Sequence, residues 1–172
     1  MTREERRLRP EHHVVHDYAN LVSVGRLRQH WRWKDVKLGE LGPVTGHLWH
    51  VFYLNCRKSF EFFTYKHHDR YLRACDFIES ITLPYQFKYW TMVVQTHMEG
   101  HIMHYGDDRT KNEVEWTGKD DMLYLADFEA AWRVMMGDLK GEHKDIFRDE
   151  IDDRLREDAF HNCGTLGKEF IL

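Results

Sequence analysis

The sequence predicts an α+β fold: a small helical bundle around a long central helix at about 83–105, with a short antiparallel β segment at about 31–78 packed on it. Two observations predict it. Leu83, Phe87, Trp90, Val94, Met98, Ile102 and Tyr105 recur at spacings of three and four, which makes one apolar stripe on a helical wheel. The stretch before it is rich in aromatic residues and opens with Trp31 and Trp33 alternating with Arg32 and Lys34, a period of two. Two or three short strands do not stand alone, so this sheet leans on the central helix.

Each element has its own signals. Residues 1–10 form a charged N-terminal arm closed by Pro10. His12 to about His30 reads as a helix, with Val14, Tyr18, Leu21, Val22 and Gly25 on one face and a weak point at Gly25. Leu48–Leu54 and Phe60–Tyr65 read as strands joined through Asn55–Lys58, with a third short strand at Tyr71–Ile78. The central helix opens at Pro84, where a missing N–H costs nothing, and closes at Gly106 in a left-handed cap. A polar link over Asp107–Lys119 holds a possible strand at Val114–Trp116. Asp120 and Asp121 offer an N-cap for a helix with its seam at Leu125, Phe128, Trp132, Met135 and Leu139. His143–Phe160 is a further helix with a thin apolar face of Phe147, Ile151 and Leu155, and 161–172 is a tail ending in Phe170, Ile171 and Leu172.

With 172 residues the chain is one domain with an arm (1–10) and a tail (161–172), long enough for a core. The 42% hydrophobic and 31% charged content argues against wholesale disorder, and a formal charge of -4 is too mild to nominate a nucleic-acid surface. Cys56, Cys75 and Cys163 are odd in number and lack metal-ligand spacing, so a reducing compartment is expected. No apolar run approaches the roughly 20 residues that span a bilayer, and the charged start is not a secretory signal.

Thirteen histidines invite a metal or acid–base reading, so each cluster needs weighing. His97, His101 and His104 share one flank of the expected central helix, and an i, i+4 histidine pair chelates zinc. No glutamate follows His97 directly, as the metalloprotease motif requires, so the simpler expectation is that these imidazoles line an interface. His67, His68 and Asp69 read as a polar turn, and His12, His13, His16 and Asp17 as a charged first helical turn. Asp149, Glu150, Asp152 and Asp153 lack the glycine and spacing of a calcium loop and read as a solvated face. Phosphate-binding loops, dinucleotide fingerprints and nucleophile elbows are absent from the sequence, so no reaction, catalytic residue or cofactor is nominated.

The segment Asp76-Phe77-Ile78-Glu79-Ser80-Ile81-Thr82-Leu83-Pro84, followed by Phe87-Lys88-Tyr89-Trp90, resembles the tail tubular protein A family, the head-to-tail adaptors of short-tailed phages. The second half is also similar, with Asp127-Phe128-Glu129-Ala130-Ala131 on a helix, a glycine-containing turn, and Asp145-Ile146-Phe147-Arg148-Asp149. The resemblance covers about residues 75–150. It implies a non-enzymatic virion protein, assembled in the host cytoplasm as a homo-oligomeric ring between portal and tail tube, with a channel for DNA. In such a ring the arm residues Arg3, Arg6, Arg7 and Arg9 and the tail residues Phe170, Ile171 and Leu172 are the expected interaction residues. Two alternatives stand beside it: a small metal-dependent hydrolase using His97, His101 and His104, and a phage-encoded inhibitor of a host protein.

Overall fold

The computed structural model describes residues 3–29, 44–64, 69–80, 85–98, 118–160 and 165–166. The described chain is helical: α1 (Arg3–Arg7), α2 (Pro10–Gln29), α3 (Val44–Thr64), α4 (Met92–Met98), α5 (Gly118–Gly137) and α6 (Gly141–Phe160). No strand occurs among the described residues, so the expected α+β architecture is corrected to an all-helical one. The antiparallel segment from Leu48 to Tyr65 is instead helical α3 as far as Thr64, and the expected hairpin at Asn55–Lys58 lies in its interior. The reason is legible in burial. Phe52, Tyr53, Cys56, Phe60 and Phe63 are all buried, at spacings of three and four along α3. That periodicity fits one face of a helix and outweighs the strand preference of aromatic residues.

The long helix expected at 83–105 is also corrected. Only Met92–Met98 is helical among the described residues of that stretch, while 99–117 lie outside them. From Tyr85 to Trp90 the backbone is extended or bent. Tyr85, Phe87 and Tyr89 are half-buried and Trp90 is buried, whereas Gln86 and Lys88 are exposed. Phe87 lies against Phe60, Phe63 and Phe128, with ring centroids 5.4, 6.3 and 4.9 Å away. Asp127 on α5 holds the end of this segment, its carboxylate accepting the backbone N–H groups of Tyr89 (2.5 Å) and Trp90 (2.9 Å). Thr91 then starts α4, its hydroxyl accepting from the Val94 N–H.

The organising helix is α2, which packs against α3, α5 and α6. It buries Val14, Val15, Tyr18, Ala19, Leu21 and Val22 and runs unbroken through Gly25 to Gln29. Gly25 is required by proximity: a Cβ there would lie 2.8 Å from Phe52 Cε2 and 3.2 Å from Leu125 Cδ2. Absence of a side chain lets three helices converge at this point. α5 contributes Leu125, Phe128, Trp132 and Met135 to the core, as its sequence seam predicts, and α6 contributes Phe147 and Ile151. The third expected strand, at Tyr71–Ile78, contains a 3-10 turn (Ala74–Asp76) and an isolated bridge between Ile78 and Leu139. Its backbone is pinned to the α5–α6 joint by Glu79 N–H to the Asp138 carbonyl (2.9 Å) and Lys140 N–H to the Phe77 carbonyl (2.8 Å). The expected strands at Trp31–Lys34 and Val114–Trp116 lie outside the described residues.

Candidate functional site: an aromatic cleft between α2 and α3

One face of α2 and one of α3 do not close on each other. Between them, roofed by 71–73, lies a cavity of about 370 Å³. Its floor is aromatic: Tyr18 of α2, Phe62 and Phe63 of α3, and Trp132 of α5. Tyr18 and Trp132 stack with centroids 4.0 Å apart and planes within 3°. That pairing fixes two large, nearly buried rings in one orientation beneath the cleft. At the roof, Tyr71 and Leu72 are exposed, at 59% and 42%. Exposure of that size in large apolar side chains beside a preformed apolar hollow is the geometry of a binding site.

The rim is polar and mostly cross-paired. Lys58 Nζ reaches Asp17 Oδ1 at 3.6 Å, from α3 to α2. Both groups are well exposed, so the pair adds little stability. Arg57 donates to Glu61 one turn on, at 3.1 Å. Arg73 is buried against the cleft with its guanidinium 5.4 Å from the Tyr71 ring centroid, and Ser59 is buried in the wall. The cleft therefore has an apolar floor and a charged edge. It offers shape and burial rather than a set of aligned reacting groups.

A second recess, of about 330 Å³, gathers Arg7, His12, His13 and His16 with Glu150, Asp153, Arg154 and Glu157. Here two reciprocal pairs join α2 to α6: Glu11 Oε1 lies 2.7 Å from His143 Nδ1, and His12 Nδ1 lies 2.8 Å from Glu150 Oε2. Glu11 is fully buried. Burial alone would push its carboxyl up, but bonds from its own backbone, His143 and Arg9 together hold it below the ordinary range. At His16, burial and the neighbouring Arg154 push the imidazole down, against a smaller upward pull from Asp17. A third polar cluster is internal. Arg28 donates to Asp121 Oδ2 (2.9 Å from Nε), and the Tyr53 hydroxyl donates to Oδ1 at 2.8 Å. Burial and that carboxylate push the Tyr53 phenol far up, and Tyr124 is pushed up to about 12. Cys56, fully buried beside them, is likewise raised by burial, which keeps it a thiol and unreactive.

The residues expected from sequence to carry function fall in different places. His97 lies on α4, while His101 and His104 lie outside the described residues, as do His67 and His68. Among the described residues no group of three or more His, Cys, Asp or Glu is arranged to hold a metal ion. The arm is helical over Arg3–Arg7: Arg3 and Arg6 belong to α1, Arg7 lines the second recess, and Arg9 pairs with Glu11 at 3.3 Å. Phe170, Ile171 and Leu172 lie outside the described residues. The acidic group at 149–153 is not uniformly solvated, because Glu150 is buried on His12 while Asp149 and Asp152 are exposed. None of the cleft's aromatic residues was singled out by sequence as functional. Their signal was Phe62 and Tyr71, apolar residues that the helix periodicity alone does not bury.

Among the described residues no helix is long and apolar enough to cross a membrane. No protein-family model, no curated protein and no solved structure matches this chain.

Proposed function

We propose that this chain is an adaptor, a non-catalytic docking protein whose α2–α3 cleft receives apolar side chains from a neighbouring copy. The aromatic cleft is the observation that carries the reading. Its volume lies within the range of roughly 300–1,000 Å³ typical of binding sites, and its Tyr18–Trp132 floor suits aliphatic and aromatic anchors. The occupant we assign is the segment Phe170-Ile171-Leu172. Thr165, the start of the last described pair, is held by Asp158 and donates to Ser23 (3.2 Å), while Arg26 donates to its carbonyl. Ser23 is nine residues from Val14, about 180° round α2, so Thr165 lies on the side opposite the cleft. This favours docking on a neighbour over docking on itself. Such a contact is heterologous, and heterologous contacts close into rings.

The setting we propose is the one implied by the resemblance: a phage head-to-tail connector, with portal and tail-tube proteins as partners and DNA passing without sequence-specific contact. One structural observation favours it. The residues Asp127–Ala131 lie on α5 and Asp145–Asp149 on α6, joined through Gly137 and Gly141, in the helix, glycine turn, helix order that the resemblance implies.

Light scattering after size exclusion tests the reading. The full chain should elute as an oligomer. Deleting Phe170–Leu172, or filling the cleft with Ser59→Phe, should release monomers of unchanged helix content. Assembly unaffected by both changes would refute the cleft as the docking site. A monomeric full chain with no affinity for a portal would refute the connector setting.

A further inference from the structure

The mouth of the cleft carries a charge pattern that the end of the chain mirrors. Asp17 on the α2 wall and Lys58 on the α3 wall face each other across it, 3.6 Å apart. Their side chains are 48% and 64% exposed, so the pair is weak and opens at little cost. The segment assigned to the cleft, Phe170-Ile171-Leu172, is preceded directly by Lys168-Glu169. We infer that docking exchanges this pair for two others, Lys168 of the incoming segment meeting Asp17 and Glu169 meeting Lys58. The inference rests on the cleft reading above, and it fixes the direction and register of the occupant.

Chain geometry and charge together select that register. An extended segment turns successive side chains to opposite sides, so positions 168 and 169 address opposite walls. One wall offers a carboxylate and the other an ammonium, which matches one lysine followed by one glutamate. The same alternation turns Phe170 toward α2, on the side of Tyr18, and Ile171 toward α3, on the side of Phe62. At roughly 3.3 Å per residue, 170–172 extend about 10 Å inward from the charged mouth, onto the aromatic floor. The other rim groups suit the exchange less well. Glu61 is held by Arg57 at 3.1 Å, and His13, one turn before Asp17, offers no carboxylate. Arg73 is buried at the roof with its guanidinium 5.4 Å from the Tyr71 ring centroid, whereas Lys58 is free to follow an incoming chain on its exposed stem. One ion pair is thus replaced by two. Such pairs set register and partner choice more than affinity, which the apolar triplet supplies.

Charge reversal in the full chain tests it, with association measured by sedimentation velocity. Lys58→Glu and Glu169→Lys should each weaken association about three- to tenfold. The double variant should regain most of the loss. So should a 1:1 mixture of the two single variants, because each then offers the other a matched cleft or segment. Asp17→Lys with Lys168→Glu should behave alike. The crossed variant, Lys58→Glu with Lys168→Glu, should recover nothing. Circular dichroism should show unchanged helix content throughout, since the Asp17 and Lys58 side chains are exposed. Strictly additive losses in the matched doubles, or recovery in the crossed one, would overturn the register. Recovery of Glu169→Lys by Arg73→Glu would move the carboxylate to the roof and overturn it too. Association that Ser59→Phe abolishes but the reversals leave unchanged would overturn this inference and spare the cleft reading. A monomeric unsubstituted chain would strike both.

Discussion

Gly25 and Asp127 are the residues on which local geometry rests most heavily. Alanine has the better helix propensity by about 1 kcal/mol, so Gly25→Ala would stabilise an isolated α2. Within the fold its methyl would meet Phe52 Cε2 at 2.8 Å, a ring edge set in packed core. Overpacking of this kind costs about 1–3 kcal/mol, so the steric effect exceeds the propensity gain. Urea denaturation should show Gly25→Ala less stable, and pairing it with Phe52→Leu should recover part of the loss. Asp127 acts differently. It satisfies two backbone donors at the end of an extended segment that has no sheet to satisfy them. Asp127→Ala should cost about 1–3 kcal/mol and expose Trp90, read as a red shift and loss of protection in its fluorescence.

At the scale of elements, legibility followed periodicity. α5 and α6 were readable because their apolar positions recur at three and four within a polar background, and the observed starts differ from expectation by only a few residues. α3 carries the same periodicity, but its aromatic density resembles a strand, and no sequence pattern says which of the two the core will select. The stretch 83–105 failed in the opposite sense. Its spacing is helical, yet Tyr85, Phe87 and Tyr89 sit at a period of two, and the Asp127 carboxylate holds the turn that ends them. That contact spans about forty residues and has no local signature. The cleft was illegible for a related reason, since it is a gap between elements and belongs to none of them.

The α2–α6 seam yields a pH prediction. The Glu11 carboxyl is held below its ordinary value of 4.5 in the folded chain. A depressed carboxyl contributes stability that is present above about pH 4.5 and lost as pH falls through the folded value. His16, also depressed, adds a loss of the same sign that begins nearer 6.5 and stays small because its ring faces solvent. The midpoint of urea unfolding should therefore fall on acidification from neutral pH. In Glu11→Gln the fall below pH 4.5 should be shallower, though the variant starts less stable at neutral pH. Parallel pH profiles for the two proteins would show that Glu11 carries no such linkage.

At the scale of the whole molecule, a helical core centred on α2 leaves the α2–α3 cleft as an apolar hollow that the described residues do not fill. On the proposed reading that hollow joins copies head to tail. The described imidazoles of His12 and His143 serve the monomer itself, each being bonded to a glutamate across the α2–α6 seam. The cleft is the central claim, and NMR titration reaches it most directly. A 161–172 peptide should be added to the chain lacking Phe170–Leu172 while the signals of Tyr18, Phe62, Tyr71 and Trp132 are followed. Saturable shifts confined to those residues, and absent in Ser59→Phe, are the predicted result. Shifts elsewhere on the surface, or none at millimolar peptide, would contradict it.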